Sequence, residues 1–271
     1  MIPDSKVENW LREDLGHHDV TNDVPGETTG RLVAKEPGVV AGLDAACAVF
    51  DYLGVRAERT AEASDRVEAG GTVLRVAGPA REMLRGERVA VNLAGHASGV
   101  ATKTRRAVTA AREVSDGVAV AATRKTTPGL RGIEKRAVVA GGGDTHRLDL
   151  SHMVMVKDNH IAEMGLTGAV EQFRERASFA TKVEVEVERP DEAPVAAEAG
   201  ADVVLLDNMP PEETATAVAN LREHDDETLA EASGEIGVED VPDYAATGVD
   251  VISMGSLTHS ADTLDYSFRT G

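Results

Sequence analysis

The stretch KVEVEVERPDEAPVAAEAGADVVLLDNM, residues 182–209, contains the unit from which the fold is predicted. An apolar run at Lys182–Val187 precedes an Ala- and Glu-rich segment at Ala193–Ala199, and a second apolar run follows at Asp202–Leu206. The two runs have the length of strands, and the segment between them is long enough for a short helix. Strand, helix and strand in this order predict a parallel α/β unit.

The same unit recurs through the second half of the chain. The predicted strands are Val118–Ala122, Met153–Val156, Lys182–Val187, Asp202–Leu206, Thr228–Ala232 and Val249–Ser253. The predicted helices are Ile161–Arg176, Ala193–Ala199, Pro211–Arg222 and Val238–Ala246. Most of the runs lack alternation, as expected for strands that are covered on both faces. The pattern predicts an α/β protein with a parallel sheet or barrel.

The first hundred residues have a mixed pattern. Helices are predicted at Val7–Leu15, Leu43–Leu53 and Glu82–Leu93, and strands at Arg31–Ala34, Val39–Ala41 and Thr72–Ala77. Few residues in this half are placed for chemistry, so no function is assigned to it alone.

Composition excludes several classes of protein. The formal charge of −19 and the pI near 4.8 argue against general binding to nucleic acids or anionic membranes. No apolar run approaches the roughly 20 residues of a membrane span, and the polar start of the chain does not resemble a signal peptide. Cys47 is the only cysteine, which excludes an intramolecular disulfide and a CxxC metal site. We expect a soluble cytoplasmic protein.

The basic residues are unusual in kind, with 7 Lys and 21 Arg against 47 carboxylates. An acidic, Lys-poor surface suits a salt-rich cytoplasm, where screening removes the self-repulsion. A halophilic source is therefore a hypothesis, and ordinary acidity is the alternative.

Polar or Gly-rich groups follow the predicted strands. They are Thr123-Arg124-Lys125, Lys157-Asp158-Asn159, Glu186 within its own strand, Asp207-Asn208, Ser233-Gly234 and Met254-Gly255-Ser256. In α/β barrels the carboxyl ends of the strands converge on the active site. We therefore expect these groups to form one constellation.

The segment from Thr123 to Arg147 carries a net charge of +4, from six basic residues against Glu134 and Asp144. Its TRKTTPGLRG run contains Pro128 and two glycines, which favours a shaped loop over a solvated helix face. Arginine forks suit carboxylates and phosphates, so the predicted ligand is a small, multiply charged anion. Further along, the triple glycine at 141–143 fits neither GxGxxG nor the P-loop, and His146-Arg147 behind it is predicted to supply two donors for an anion.

Carboxylates and glycines complete the candidate site. The KVEVEVE run alternates, which places Glu184, Glu186 and Glu188 on one face, either as a wet edge strand or beside Asp207 near an anion site. In the second case Glu186 and Asp207 would hold Mg²⁺, directly or through water, or stabilise an oxocarbenium ion. Ser233-Gly234 and Gly255-Ser256 end the last two strands, where barrels frequently bind phosphate.

These residues, in this order, resemble the quinolinate phosphoribosyltransferase family, which makes nicotinate mononucleotide in NAD synthesis. The matching stretches are EDLG with DVT (13–21), GERVAVNLAGHASGVAT (86–102), TRKTTPGLR (123–131), KRAVVAGGGDTHR (135–147), VKDNHI (156–161), VEVEVE (183–188), ADVVLLDNM (201–209), EASG (231–234) and GVDVISMGSLTHSA (248–261). They span nearly the whole chain.

The resemblance implies an N-terminal α/β sandwich at 1–104 and an incomplete α/β barrel of fewer than eight strands at 105–261, with a tail near 262–271 that packs on the first domain. It implies a homodimer, with assembly to a hexamer left open, in which each active site is completed by its neighbour. The implied substrate-binding residues are Arg88 from the other subunit, Thr123, Arg124, Lys125, His146, Arg147, Lys157, Glu186, Asp207, Ser233, Gly234, Glu235, Met254, Gly255, Ser256 and His259. Lys157, Glu186 and Asp207 are the implied catalytic residues, with Mg²⁺ as cofactor.

The chain departs from the family at two places. Glu235 stands where the family usually has a second glycine after Ser-Gly, which puts a carboxylate beside the phosphate site, and His18 replaces a common glycine. Three other functions remain open. They are the related protein of molybdate transport operons, a Schiff-base lyase with Lys157 as the imine-forming lysine, and a non-catalytic binder of phosphorylated sugars.

Overall fold

The computed structural model describes residues 2–271. They form two compact units. The first contains the chain up to Arg105 together with Gly129–Gly142 and Ala261–Gly271, and the second contains Arg106–Pro128 and Gly143–Ser260.

The segment 129–142 belongs to the first unit, whereas the sequence analysis assigned it to the second domain. Most of it is a helix, α4 (Arg131–Gly141), which follows a loop. The Arg105 Nε donates to the carbonyl of Gly141 at 2.8 Å, and His96 Nε2 lies 2.8 Å from Glu134 Oε1. Because Glu134 is fully buried, these contacts tie α4 to the helix that carries His96 and Arg105.

The first unit is built on a four-stranded antiparallel sheet. Its strands are β1 (Glu27–Ala34), β3 (Arg56–Arg59), β5 (Thr72–Pro79) and β12 (Tyr266–Thr270), in the order β12-β1-β5-β3. A separate short pair joins β2 (Gly38–Val39) to β4 (Arg66–Val67). The sequence analysis missed β3 and β4, because charged residues fill most of their exposed positions.

Three further helices begin in this unit: α1 (Asp4–Leu15), α2 (Leu43–Tyr52) and α3 (Ala80–Arg112). The buried pair Val7 and Leu11 is four residues apart, so α1 presents one apolar stripe. The predicted helix Glu82–Leu93 is only part of α3, which continues to Arg112 and whose last residues belong to the second unit. Small residues such as Gly95 and Gly99 made its middle part look irregular in sequence.

The second unit confirms the predicted parallel sheet. Its strands are β6 (Ala119–Ala122), β7 (Val154–Val156), β8 (Val183–Val187), β9 (Val203–Asp207), β10 (Leu229–Gly234) and β11 (Val251–Met254). They lie in the order β6-β11-β10-β9-β8-β7, with every neighbouring pair parallel. Strands β6 and β7 are the two ends of this order, as expected for an incomplete barrel with fewer than eight strands.

Helices follow most of these strands. They are α5 (Asp158–Met164), α6 (Leu166–Arg176), α7 (Glu192–Glu198), α8 (Pro211–Arg222), α9 (Val241–Ala245) and α10 (Ser256–His259). The single helix predicted at Ile161–Arg176 is wrong, because Gly165 adopts a φ of 72° and separates α5 from α6.

The glutamates of β8 alternate with its valines. The valines are at most 1% exposed and belong to the apolar core of this unit, while Glu184 is also fully buried. Strand β8 lies between β7 and β9, so the wet edge strand considered for this sequence is wrong. Its carboxylates therefore face the inside of the sheet's curvature, toward the candidate site.

Candidate active site

The carboxyl ends of the parallel strands surround one cavity of about 300 Å³. It is lined by Thr123, Arg124, Lys125, His146, Arg147, Met155, Lys157, Glu186, Leu205, Asp207, Glu231, Ser233, Gly234, Ser253 and Gly255. The constellation expected from the strand ends is therefore present. Every strand of the parallel sheet, together with the segment after α4, contributes to it.

Cationic side chains come from the two ends of the sheet. Arg124 and Lys125 follow β6, and Lys157 follows β7. The hydroxyl of Thr123 accepts the backbone N–H of Lys125, and Thr258 Oγ1 donates to the Lys125 carbonyl at 2.7 Å, which fixes the loop. These basic groups therefore lie at the two end strands of the six-stranded sheet, β6 and β7.

The segment after α4 adds two more donors. Gly142, with a φ of 91°, ends the helix, and Asp144 then forms a parallel bridge with Ala121 of β6. This bridge carries His146 and Arg147 to the edge of the sheet, where both line the cavity. Arg147 is 8% exposed. Burial, and then the charge of Arg124, lower the pKa of its guanidinium.

His146 pairs with two buried carboxylates beneath the cavity. Its Nε2 lies 3.0 Å from Glu231 Oε2 and 3.6 Å from Glu184 Oε1. Burial alone would lower the pKa of this imidazole, but the two carboxylates outweigh burial and raise the pKa to about 10. The two carboxylates therefore favour the doubly protonated form of the ring. A doubly protonated ring has no nitrogen lone pair to offer, so the group of His146, Glu184 and Glu231 does not suit a divalent cation.

The acidic side of the cavity comes from the middle strands. Glu186 on β8 pairs with Lys157 through Oε2, and Asp207 at the end of β9 accepts the Asn208 amide at 2.7 Å through Oδ2. Within residues 2–271 the hydrogen bonds of these two carboxylates use those oxygens alone. Glu186 and Asp207 thus keep hard oxygen donors toward the cavity, which fits Mg²⁺ bound jointly with phosphate oxygens.

Glycines at the ends of β10 and β11 keep the remaining wall open. A Cβ at Gly234, where φ is 140°, would lie 2.6 Å from Asn208 Oδ1. A Cβ at Gly255 would lie 2.8 Å from Lys125 Cδ and 3.3 Å from His259 Nε2. The backbone at Gly234 requires glycine, a side chain at Gly255 would displace Lys125, and both glycines line the cavity.

Five residues implied by the family resemblance do not line the cavity: Arg88, Glu235, Met254, Ser256 and His259. Glu235 is exposed, Met254 is fully buried, and His259 bonds Ser260 Oγ through Nδ1. Arg88 lies on α3 of the first unit with a side chain that is 59% exposed, 3.6 Å from Glu87. Their roles in binding stay predictions.

Four lining residues were not singled out from the sequence: Met155, Leu205, Glu231 and Ser253. Glu231 carried a usable signal, because it lies two positions before Ser233 on the same strand and so shares its face. The basic residues of the stretch 123–147 also lie in two different places, which the net charge of the stretch does not predict. Arg124, Lys125 and Arg147 reach the cavity, whereas Arg136 pairs with Asp44 at 3.2 Å in the first unit.

Both parts of the sequence match descriptions of one enzyme family. Residues 100–269 match the quinolinate phosphoribosyl transferase C-terminal domain, and residues 19–98 match the N-terminal domain. The chain belongs to the quinolinate phosphoribosyltransferase family. The resemblance found in the sequence motifs is thereby confirmed.

Curated relatives of this quinolinate phosphoribosyltransferase family member cover almost its entire length. A protein of Methanothermobacter thermautotrophicus, named "Probable nicotinate-nucleotide pyrophosphorylase (carboxylating)", is 44% identical over an alignment of 270 residues that covers 97% of each chain. The human nicotinate-nucleotide pyrophosphorylase (carboxylating) is 42% identical and covers 97% of this chain and 90% of its own.

Solved structures agree with the fold. NadC from Streptococcus pyogenes aligns with a TM-score of 0.91 at 39% identity and covers 99% of this chain and 96% of its own. The nicotinate-nucleotide pyrophosphorylase from Francisella tularensis aligns with a TM-score of 0.92 at 31% identity and covers 100% of this chain and 98% of its own. Among residues 2–271, no helix has both the length and the apolar character of a membrane span.

Proposed function

We propose that this phosphoribosyltransferase uses the cavity at the strand ends to join quinolinate to phosphoribosyl pyrophosphate. The products are nicotinate mononucleotide, pyrophosphate and CO₂, and the reaction belongs to NAD biosynthesis. The observation that carries the proposal is the separation of charge in the cavity. Cations lie at the β6 and β7 edges, carboxylates lie on the middle strands, and the glycine ends of β10 and β11 lie beside them.

The cationic side is the proposed quinolinate site. Two carboxylates on adjacent ring carbons need several donors close together, and Arg124, Arg147 and His146 are all held near β6. Guanidinium groups bind carboxylates through two parallel hydrogen bonds. Buried donors are also more effective here than exposed ones, because water does not screen them.

The acidic side is the proposed ribose site. As pyrophosphate leaves, positive charge develops on the ribose, and the ring nitrogen of quinolinate attacks the anomeric carbon. Glu186 and Asp207 are placed to stabilise that charge. The quaternised pyridine then accepts the electrons that remain as the 2-carboxylate departs as CO₂. A proton from Lys157 or from water takes its place, and no covalent enzyme intermediate is needed.

Mg²⁺ is the proposed cofactor, held by Glu186 and Asp207 either directly or through water. When bound with phosphoribosyl pyrophosphate, Mg²⁺ would supply positive charge that neutralises the pyrophosphate. Ser233, Gly234 and Gly255 then contact the substrate's phosphate from the last two strands. The exposed carboxylate of Glu235 leaves room for that contact.

A homodimer is proposed as the active assembly, with Arg88 supplied by the partner subunit. The exposure of Arg88 on α3 supports this role, since the side chain is 59% exposed and, among residues 2–271, its one ion-pair partner is its neighbour Glu87 at 3.6 Å. Mixing inactive Arg88→Ala subunits with inactive Lys157→Ala subunits should restore partial activity, because mixed dimers contain one intact site. Absence of any restored activity from dimers shown to exchange would contradict shared sites.

The test of function is incubation with quinolinate, phosphoribosyl pyrophosphate and Mg²⁺, followed by measurement of nicotinate mononucleotide and released CO₂. Formation of both, dependent on each substrate, is expected. Binding of phosphoribosyl pyrophosphate without CO₂ release would instead indicate a sugar-phosphate binder or the relative of molybdate transport operons.

Lys157→Ala gives a sharper result within the same assay. We expect turnover to be lost with the fold intact, because Lys157 lines the cavity and engages Glu186. Lys182→Ala is the matched control, since that lysine is exposed just before β8.

The Schiff-base alternative is disfavoured by this geometry, because an ammonium paired with a carboxylate is a poor nucleophile. Failure of borohydride to trap a carbonyl substrate on Lys157 would exclude it.

A further inference from the structure

Two buried carboxylates lie beneath the cavity without full hydrogen bonding. Glu184 is 0% exposed and Glu231 is 1% exposed. Within residues 2–271, both oxygens of Glu184 and Oε1 of Glu231 have no hydrogen-bond partner. Burial raises the pKa of the Glu184 carboxyl, and a cation at close range opposes that shift. The cation closest to both is His146.

The two nitrogens of the His146 ring have different surroundings. Nε2 bonds Glu231 Oε2 at 3.0 Å. Among the described residues Nδ1 has no hydrogen-bond partner, while the side chain is 12% exposed and lines the cavity. A ring that is doubly protonated therefore offers its Nδ1–H to whatever the cavity holds.

The backbone of His146 also fixes the ring. Its φ is 51°, an unusual value for a residue other than glycine, and its N–H donates to Asp144 Oδ1 at 2.6 Å. Such a conformation persists only where its surroundings hold it. The charged groups that face the ring are Glu184 from β8, Glu231 from β10, Asp144 and Arg147 from its own segment, with Arg124 from β6 beside Arg147.

We propose that Glu231 is a positioning residue for the dicarboxylate site, which holds His146 as a doubly protonated ring with its Nδ1–H toward the ligand. Glu184 contributes as a second, more distant counter-charge. This inference rests on the proposed function, because the ligand it serves is the quinolinate dianion. Glu231 acts through the ring, since its carboxylate engages Nε2 and leaves Nδ1 for the ligand.

The decisive variant is Glu231→Gln, which keeps the shape of the side chain and removes its charge. At about pH 8 the KM for quinolinate should rise at least about tenfold, because an uncompensated imidazole is mostly neutral above its ordinary pKa. The KM for phosphoribosyl pyrophosphate should change less than about twofold. The KM for quinolinate in the variant should fall again toward about pH 6, while that of the wild type stays flat between these values.

Controls separate this role from a structural one. Glu198→Gln, at an exposed carboxylate on α7, should behave as wild type. Glu231→Asp keeps the charge and should retain part of the affinity for quinolinate. If Glu231→Gln fails to fold, the protonation of the wild-type ring still tests the inference. Variants whose kcat or stability falls, with an unchanged KM for quinolinate and a flat pH profile, would overturn the inference.

A second measurement does not depend on the reaction. Nitrogen-15 NMR of histidine-labelled protein, with His146 assigned from a His146→Gln sample, reports the protonation of both ring nitrogens. The wild-type ring should stay doubly protonated at about pH 8, and the ring in Glu231→Gln should not. If the wild type lacks transferase activity but shows this pattern, the proposed function fails and the charge-holding role of Glu231 stands. A neutral wild-type ring at that pH would overturn the inference.

Discussion

Arg147 and Arg124 are the residues on which the anion site most depends. Arg147 is nearly buried, and in the part of the chain that the structure describes the Nε atoms of both residues are buried without a hydrogen-bond partner. A buried guanidinium has lost many of its hydrogen bonds to water. A carboxylate ligand replaces them with charged hydrogen bonds. The two arginines thus keep binding capacity that the protein itself does not use.

Arg147→Ala should weaken quinolinate binding by at least about 2 kcal/mol, or about 30-fold in Kd, because a desolvated carboxylate loses its partner. Isothermal titration calorimetry measures the loss directly. Arg189→Ala is the matched control, since Arg189 is exposed and pairs with Asp191 on the surface. An unchanged Kd for Arg147→Ala would remove this residue from the site.

The raised pKa of His146 predicts that this residue stabilises the folded protein to an extent that depends on pH. Its folded-state pKa of about 10 lies above the ordinary value of 6.5, so the folded protein retains a proton that the unfolded chain releases first. The stabilisation is fully present below about pH 6.5 and is lost as the pH rises through about 10.

The difference in Tm between wild type and His146→Gln should therefore shrink steadily across that range. Thermal unfolding followed by circular dichroism provides the measurement, with His17→Gln at an exposed position as control. A difference that stays constant with pH would mean that the buried carboxylates do not hold the proton.

At the scale of the element, close packing of α3 against the C-terminal segment depends on glycine. A Cβ at Gly99 would lie 2.0 Å from the carbonyl oxygen of Asp262, and one at Gly95 would lie 3.0 Å from that of Leu264. The Leu264 N–H also donates to the Gly95 carbonyl at 3.1 Å. Both obstacles are backbone atoms, which cannot rotate away as a side chain would.

Gly99→Ala should destabilise the protein by about 1–3 kcal/mol, because the segment around Asp262 must shift. Urea unfolding measures the change. Gly168→Ala on α6 is the matched control, since nothing lies within 4 Å of the added Cβ, and alanine favours a helix. Equal stability of Gly99→Ala and wild type would show that the helix and the segment are not in close contact.

For the whole molecule, the dominant property is its charge of −19. Of the 47 carboxylates, 19 have no basic residue to balance them, since Lys and Arg together number 28. The resulting repulsion opposes the compact state and is screened by salt. The Debye length falls from about 10 Å at 0.1 M salt to about 3 Å at 1 M.

Raising KCl from about 0.1 M to about 1 M should therefore increase the Tm, with most of the gain reached once the Debye length is shorter than the spacing of surface charges. Differential scanning calorimetry tests this expectation. Sucrose at matched osmolarity is the control for solute exclusion, which does not act through charge. A Tm that is insensitive to KCl would contradict adaptation to a salt-rich cytoplasm.

The sequence predicted the parallel sheet better than the first unit for a physical reason. Runs such as ADVVLLDNM are apolar because both faces of a central parallel strand are covered. Such a strand is therefore visible in the sequence as consecutive apolar residues. Strand β3, with the sequence RAER, is exposed at three of its four positions. It pairs with β5 through backbone hydrogen bonds, which impose no apolar pattern on the sequence. The helix α4 was missed because its first residues continue a glycine-containing basic run.

What the sequence determined by itself is the order of strands and helices in the second unit, the polar residues at the strand ends, and the family. These are local properties, fixed by hydrophobic period and by motif. Only the tertiary structure decided that Arg136 and Glu134 serve the first unit while Arg147 serves the cavity, and that Glu231 lies against His146. Those contacts join residues far apart along the chain, and no local pattern specifies which side chains a fold will bring together.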